Sequence, residues 1–248
     1  MKRFGQVASL ASRSLLRFGM RSVCPTVIRS FDHDPSAATQ GLLFLRNSIY
    51  ESTGEWNESS LRRVDPVSGR ILESVQVEGE FAEGIAFVNE RIYQLTWQSG
   101  RVLRYSIDPI RKVDERRVNH QGWGMASAGA GLFVSDGSSK IRVYSDEMKL
   151  QDTWSIRRFG FPFRHLNAMT IVENSLFANV WNSSFLVQVD LGSRRLVRII
   201  DCSELVRIEG PLRPEWILNG VAFDPLSRTL YLTGKRWRTM FEVELPGI

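Results

Sequence analysis

Gly84-Ile85-Ala86-Phe87, followed after a short polar turn by Ile92-Tyr93, returns in outline at four other places in the chain. The other copies are Gly41-Leu42-Leu43-Phe44 with Ile49-Tyr50, Gly124-Met125-Ala126-Ser127 with Leu132-Phe133, Ala168-Met169-Thr170-Ile171 with Leu176-Phe177, and Gly220-Val221-Ala222-Phe223 with Leu230-Tyr231. Their starts step by 43, 40, 44 and 52 residues. In the first four copies the aromatic anchor stands six positions after the fourth residue; the fifth carries two more, around Asp224-Pro225. A period of about 40 to 50 residues is the mark of propellers and solenoids, in which each unit covers its neighbour's apolar face.

Each copy reads as two short strands joined by a tight polar turn. A third strand follows at 61–65, 103–108, 141–146, 186–190 and 240–245, and a fourth at 71–77, 112–118, 150–156 and 196–200. After the fifth copy the chain ends one strand short, leaving an open edge of the kind that closed β folds avoid. Residues 26–31, with Val27, Ile28 and Phe31, are the candidate to fill it. The expected architecture is therefore all-β: a five-bladed β-propeller of four-stranded blades spanning 26–248 and closed by its own N-terminal strand. That gives about 45 residues per blade. A β-sandwich with accidental internal similarity is the competing reading.

Composition supports a globular chain. With 43% hydrophobic and 24% charged residues there is enough apolar surface for a full core, and disorder or a collagen-like fibre is excluded. No run approaches the roughly eighteen apolar residues that span a bilayer, so no integral membrane segment is expected. The net charge is +5, and much of the basic excess sits at the front, where Lys2, Arg3, Arg13, Arg17, Arg21 and Arg29 precede the first acid, Asp32. The remainder is nearly neutral, which is not the footprint of a nucleic-acid binder. Residues 1–25 are basic and serine-rich, with Arg13, Arg17 and Arg21 at helical i,i+4 spacing, and are read as an extension outside the fold. Two readings of it stay open: a transit-like targeting peptide, or a start assigned upstream of Met20. Arginines interrupt every apolar stretch a secretory signal would need. Cys24 and Cys202 allow at most one disulfide and fit no metal spacing. Asn57-Glu58-Ser59 and Asn182-Ser183-Ser184 match a glycosylation acceptor, a match frequent by chance.

In a propeller the innermost strand of each blade lines the central channel, so equivalent positions form a ring at its mouth. The residue before each repeat start is Gln40, Glu83, Trp123, Asn167 and Asn219. The second strand returns to the same end, and four residues past the aromatic anchor it reads Gly54, Trp97, Gly137, Trp181 and Lys235. Taken singly, each has an ordinary structural explanation: blade packing for a tryptophan, turn capping for an asparagine, solvation for a lysine. Together they place a carboxylate, an amine, amides and indoles at one end of the channel, the mostly aromatic pocket with few polar groups expected of a small-ligand site.

At these residues the sequence resembles the plant-type and bacterial glutaminyl cyclases, the metal-independent glutaminyl-peptide cyclotransferases. The resemblance runs from His33-Asp34-Pro35 to the C-terminus through Thr39-Gln40-Gly41-Leu42, Tyr50-Glu51-Ser52-Thr53-Gly54, Leu61-Arg62-Arg63-Val64-Asp65, Phe81-Ala82-Glu83-Gly84 and Gln94-Leu95-Thr96-Trp97. It continues through Gly122-Trp123-Gly124, Ser135-Asp136-Gly137, Ala178-Asn179-Val180-Trp181, Leu218-Asn219-Gly220 and Thr233-Gly234-Lys235. It implies a five-bladed propeller that converts the N-terminal glutamine of peptides to pyroglutamate with loss of ammonia, without metal or cofactor. It also implies a monomer that acts outside the cytoplasm on peptides or proteins beginning with glutamine. The family's functional positions map onto Gln40, Phe81, Glu83, Trp97, Trp123, Asn167, Trp181 and Lys235.

The chemistry suits those types. Cyclisation needs a neutral α-amine to attack its own side-chain amide, and the leaving ammonia needs a proton; one carboxylate, Glu83, can serve as base and then acid. Indoles that partly desolvate it would raise its pKa towards the working pH. Lys235 with Asn167 or Gln40 can hydrogen-bond the amide oxygen as it gains charge. Phe81, Trp97, Trp123, Trp181 and Asn219 are the expected substrate contacts. The sequence also departs from the family pattern. Gln121 stands where a glutamate usually precedes Gly-Trp-Gly, Ala168-Met169-Thr170 replaces Glu-Leu-Glu, and Ala38 replaces an aromatic. These losses keep a second hypothesis open, a weak or inactive propeller that binds peptide N-termini or amides. A metal-dependent lactonase-like hydrolase would need several acidic ligands, and the two columns supply only Glu83.

Overall fold

The structure, a computed structural model, describes residues 19–210 and 213–248. Its strands form five antiparallel blades. Blade 1 holds Thr39–Leu45, Ser48–Thr53, Ser60–Val64 and Ile71–Gln76; blade 2 holds Ala82–Val88, Arg91–Thr96, Arg101–Ile107 and Ile110–Arg117. Blade 3 holds Met125–Ala128, Gly131–Ser135, Lys140–Tyr144 and Leu150–Ser155; blade 4 holds Leu166–Val172, Ser175–Val180, Phe185–Asp190 and Arg195–Asp201. Blade 5 takes Leu218–Asp224, Thr229–Gly234 and Thr239–Glu244 from the C-terminus and its outermost strand, Thr26–Asp32, from the front of the chain. Closure by residues 26–31 is thus as the sequence implies.

The repeat has a local cause in each half. The turn between the first two strands is a two-residue hairpin in blades 1 to 4, with Arg46-Asn47, Asn89-Glu90, Gly129-Ala130 and Glu173-Asn174 between the paired ends. Left-handed φ angles at Arg46, Asn47, Asn89 and Glu90 give these turns the twist that suits flanking strands. Blade 5 spans the same gap, Asp224 to Thr229, with four residues, which accounts for the two extra positions. The repeat glycine has a different cause. A Cβ on Gly84 would lie 2.5 Å from the Met125 nitrogen, and one on Gly124 would lie 1.8 Å from the Asn167 carbonyl, so each inner strand touches the backbone of the next blade. Glycine here is a condition for drawing the strands around one axis.

Burial falls off outward. Inner strands such as Ala82–Val88 are buried almost throughout, whereas Ile71–Gln76 at the rim alternates exposed with half-buried residues. The apolar side chains gather into five clusters, one at each blade-to-blade seam. The seam between blades 5 and 1 is a small cluster, with Leu42, Ile49, Val64, Ala222, Tyr231 and Met240, and Phe44 stacks on Tyr231 with ring centroids 5.4 Å apart. Arg29, on the closing strand, ties it further by donating to Glu242 and to the Pro66 carbonyl.

Three elements do not follow from the repeat. Arg21–Val23, within the stretch read as outside the fold, pairs in parallel with Arg198–Ile200 on the rim of blade 4, and Met20 packs against the core beneath it. Residues 1–18 of that extension lie outside the described residues. A helix, Ser203–Glu209, fills the longer spacing before the fifth copy, and a hairpin, Arg157–Arg158 with Phe161–Pro162, joins blades 3 and 4. Cys24 is exposed and Cys202 buried, and both are free thiols.

Candidate active site at the channel mouth

The first-column residues sit where the inner ladder breaks. Pairing of first and second strands slips between Thr39 and Gly41, between Ala82 and Ile85, between Leu166 and Met169, and between Leu218 and Val221. Gln40, Glu83, Asn167 and Asn219 lie inside those slips. A bulge of this kind frees a residue from the ladder and re-aims its side chain. The second column returns to the same end: Gly54 N–H donates to the Ala38 carbonyl, Trp97 to Phe81, Trp181 to His165 and Lys235 to Ile217, at 2.8–2.9 Å. In each of these four blades the acceptor stands two residues before the first-column residue, so the two columns face one mouth.

Glu83 is 6% exposed, and its Oε2 has no hydrogen-bond partner. Burial pushes its pKa up to about 8, while the charge of Lys235 works in the opposite direction. Lys235 is half-buried; desolvation lowers its pKa against the fields of Glu83 and Glu55. Two further buried polar atoms at the mouth are also unpartnered, Asn167 Oδ1 and Trp123 Nε1. A buried polar atom without a partner costs on the order of 1–3 kcal/mol. Several converging on one mouth mark a site built to hydrogen-bond something else.

Aromatic rings wall the mouth on two sides. Phe81 lies edge-on to Trp97 at 5.4 Å and to Trp56 at 6.1 Å. Across from them Trp123 lies edge-on to Trp181 at 6.0 Å, and His165 approaches both. Gly54 and Gly137 have room for no side chain: a Cβ would meet Phe81 and Gln40 at the first and the Trp123 ring at the second. Gln40 is buried, and its Oε1 accepts from Asn219 Nδ2 at 3.3 Å. Asn219 directs its remaining bonds inward, donating to the Thr39 carbonyl and accepting from Ala168 N–H. It bridges blades 4, 5 and 1 and holds Gln40.

Beneath Lys235 lies a second buried polar group that sequence reasoning missed. His33 Nδ1 donates to the Trp237 carbonyl at 2.7 Å, and Nε2 meets Glu51 Oε1 at 2.9 Å. Thr39 Oγ1 donates to the same carboxylate at 2.7 Å. Burial works against both charges, yet each partner stabilises the other: His33 is held above its usual pKa by Glu51, and Glu51 below its own by His33 and Thr39. With Arg236 N–H on the Ala37 carbonyl and His33 N–H on the Arg238 carbonyl, this clamp fixes the loop that carries Lys235. His165, Trp56 and Glu55 were missed as well. His165 had a usable signal, since it stands two residues before Asn167, as Phe81 does before Glu83.

The departures from the family pattern have plain surroundings. Gln121 is exposed and donates to the Asp136 carbonyl, Ala168 is fully buried, and Ala38 is buried with its carbonyl bonded to Gly54. Among the described residues no group of three His, Cys, Asp or Glu side chains is arranged to hold a metal ion, and no helix is long and apolar enough to cross a membrane.

Comparison with known proteins decides the family, because the sequence profile of the glutamine cyclotransferases matches residues 5–245. The chain belongs to the glutamine cyclotransferase family. It is 34% identical over 226 residues to the glutaminyl-peptide cyclotransferase of Arabidopsis thaliana, covering 88% of this chain and 70% of that protein. Superposed on the crystal structure of Myxococcus xanthus glutaminyl cyclase it gives a TM-score of 0.86 at 31% identity, over 91% of this chain and 97% of that one. The WD40 repeats of RRP9 match with a TM-score of 0.54 at 10% identity, over 90% of this chain and 99% of that one, which reflects the propeller fold alone. In this family member the residues with unusual chemistry collect at one end of the axis.

Proposed function

We infer that the protein is a glutaminyl-peptide cyclotransferase, closing the N-terminal glutamine of peptides to pyroglutamate with release of ammonia, and that Glu83 moves the proton. The α-amine nitrogen attacks the side-chain amide carbon. Glu83 accepts the proton that nitrogen sheds and returns it to the amide nitrogen as the C–N bond breaks, so carboxylate is restored and ammonia leaves. A peptide α-amine has a pKa of about 7.7–8.0. A carboxyl raised to about 8 therefore exchanges a proton with it at almost no cost. Lys235 and the Asn167 amide stabilise the oxygen that gains negative charge; a well-placed donor of this kind is worth about 3 kcal/mol in other enzymes. Phe81 with Trp97, and Trp123 with Trp181, hold the side chain folded back on its own amine. Because the reaction is intramolecular, that positioning is a large share of the catalysis. Gln40, held by Asn219, completes the polar wall.

The observation that carries this reading is Glu83 itself: a buried carboxylate atom with no partner, in a bulge and under the field of a lysine, at a mouth walled by aromatic rings. Purified protein given glutaminyl dipeptides should release ammonia with or without chelator, and Glu83→Gln, shown to be folded by circular dichroism, should not. The positions where family carboxylates are replaced, at Gln121, Ala168 and Thr170, favour one other reading, a propeller that binds glutaminyl N-termini without turning them over. Saturable peptide binding with no ammonia from the folded wild-type protein would decide for it.

A further inference from the structure

We propose that Trp56 is a specificity-determining residue: with Phe81 it forms an apolar seat for the side chain of the second residue of the peptide, and it favours an aromatic or large aliphatic residue there. The inference rests on the cyclotransferase reading. Exposure rises outward from the reacting end, for Glu83 is buried, Phe81 half-buried and Trp56 50% exposed. Trp97, Phe81 and Trp56 meet edge to face in turn, so Trp56 continues the aromatic wall of the mouth towards solvent. With the glutamine's amine at Glu83 and its side chain between the inner rings, the peptide leaves outward along this wall. The side chain that follows the glutamine then comes level with Trp56.

The loop that presents this ring is strained and tightly held. Glu55 takes a φ of 102° and Asn57 one of 66°, so residues with positive φ flank the tryptophan on both sides. Asparagine tolerates that region, whereas glutamate, with its longer side chain, enters it only under strain. Such strain persists where the surroundings over-determine the backbone, and it collects at binding sites. Here Ser59, fully buried, donates its hydroxyl to the Glu55 carbonyl at 2.7 Å and accepts the Ala82 N–H at 3.0 Å. Gln76 donates to the Asn57 carbonyl at 3.2 Å. Ala82 immediately precedes Glu83, so the loop and the reacting carboxyl share one frame. What the fixing achieves is not burial, since half of the Trp56 side chain stays in water. It holds a large ring in place at the mouth, an anchor whose ordering is complete before the peptide arrives. Both carboxylates of the loop have cations of blade 5 beside them: Glu58 meets Arg236 at 3.5 Å, and Glu55 acts on Lys235 through its field. The face between Trp56 and Phe81 is left apolar.

The test compares kcat/KM for Gln-Phe-Ala, Gln-Gly-Ala and Gln-Lys-Ala peptides with wild-type protein and with Trp56→Ala and Trp56→Phe variants. Wild type should favour Gln-Phe-Ala over Gln-Gly-Ala by about threefold to tenfold, the range a single ring-on-ring contact gives. Trp56→Ala should bring that ratio to about one, and Trp56→Phe should keep most of it. A wild-type ratio of one would overturn the proposal. So would a ratio unchanged in Trp56→Ala, including an equal loss for both peptides, which is what a purely structural role produces. A lead for Gln-Lys-Ala over Gln-Phe-Ala that Trp56→Ala abolishes would also overturn it, because the ring would then serve a cation. If the folded protein releases ammonia from none of these peptides, the cyclotransferase reading fails separately, and the same ratio taken from dissociation constants by titration calorimetry still decides the seat.

Discussion

Two buried glutamates, Glu83 and Glu51, lie at one end of this propeller and are treated in opposite ways. Glu51, at 1% exposure, is met by His33 and Thr39 and is held well ionised. Glu83, at 6% exposure, has an unpartnered oxygen and a pKa raised by burial. A structural charge is satisfied within the fold, while a working one is left short of partners until substrate arrives. Replacing each should therefore harm different properties.

The largest effect is expected from Glu83→Gln. Loss of a positioned general base costs about 10²–10⁴ in rate. The melting temperature should stay level or rise, because a poorly satisfied buried carboxyl has been removed. Ammonia release and thermal denaturation on the same sample check both halves. Glu51→Gln should do the reverse, because it removes the carboxylate that holds His33 above its usual pKa and leaves that ring buried without its partner charge. Breaking a buried pair in this way costs about 3–5 kcal/mol of stability, read from the denaturant midpoint. A double variant, His33→Gln with Glu51→Gln, should recover much of that loss.

A smaller effect is expected at the ring itself. Gly124→Ala places a methyl group against the Asn167 carbonyl and should cost about 1–3 kcal/mol, with a loss of activity because Asn167 must move. The gentlest perturbation is of pH. Glu51 is lowered and His33 raised, so their clamp is complete between about pH 4.5 and 6.5, the usual values of the two groups. It weakens as pH falls through the depressed pKa of Glu51 and as pH rises through the raised pKa of His33. Glu83 carries the opposite sign to Glu51: its contribution is present below 4.5 and is lost as pH rises through about 8. Stability of the Glu83→Gln variant should therefore decline less than wild type over that interval. Lys235→Met removes the charge that lowers Glu83, so the acidic limb of its kcat/KM profile should move to higher pH while the substrate's own titration stays common to both proteins.

The repeat made the five blades and the two site columns legible in the sequence, because both follow from one local cause. A glycine is required wherever an inner strand touches its neighbour, and the residue before it comes to the mouth. What lay outside the repeat was hidden. The His33–Glu51 clamp joins residues that pair only once the ring closes, and its pattern occurs in no other blade. The bulges that turn Glu83 and Asn167 inward are shifts of register between strands, invisible to periodicity. Arg21–Val23 is too short to announce itself ahead of the closing strand, and the helix Ser203–Glu209 left its trace only as the 52-residue step.

The account turns on the ionisation of Glu83, which difference titration of carboxyl-¹³C-glutamate protein against the Glu83→Gln variant measures directly. A carboxyl resonance titrating near pH 8, absent from the variant, is the result expected. A Glu83 resonance titrating near 4.5, as in an ordinary glutamate, would contradict it.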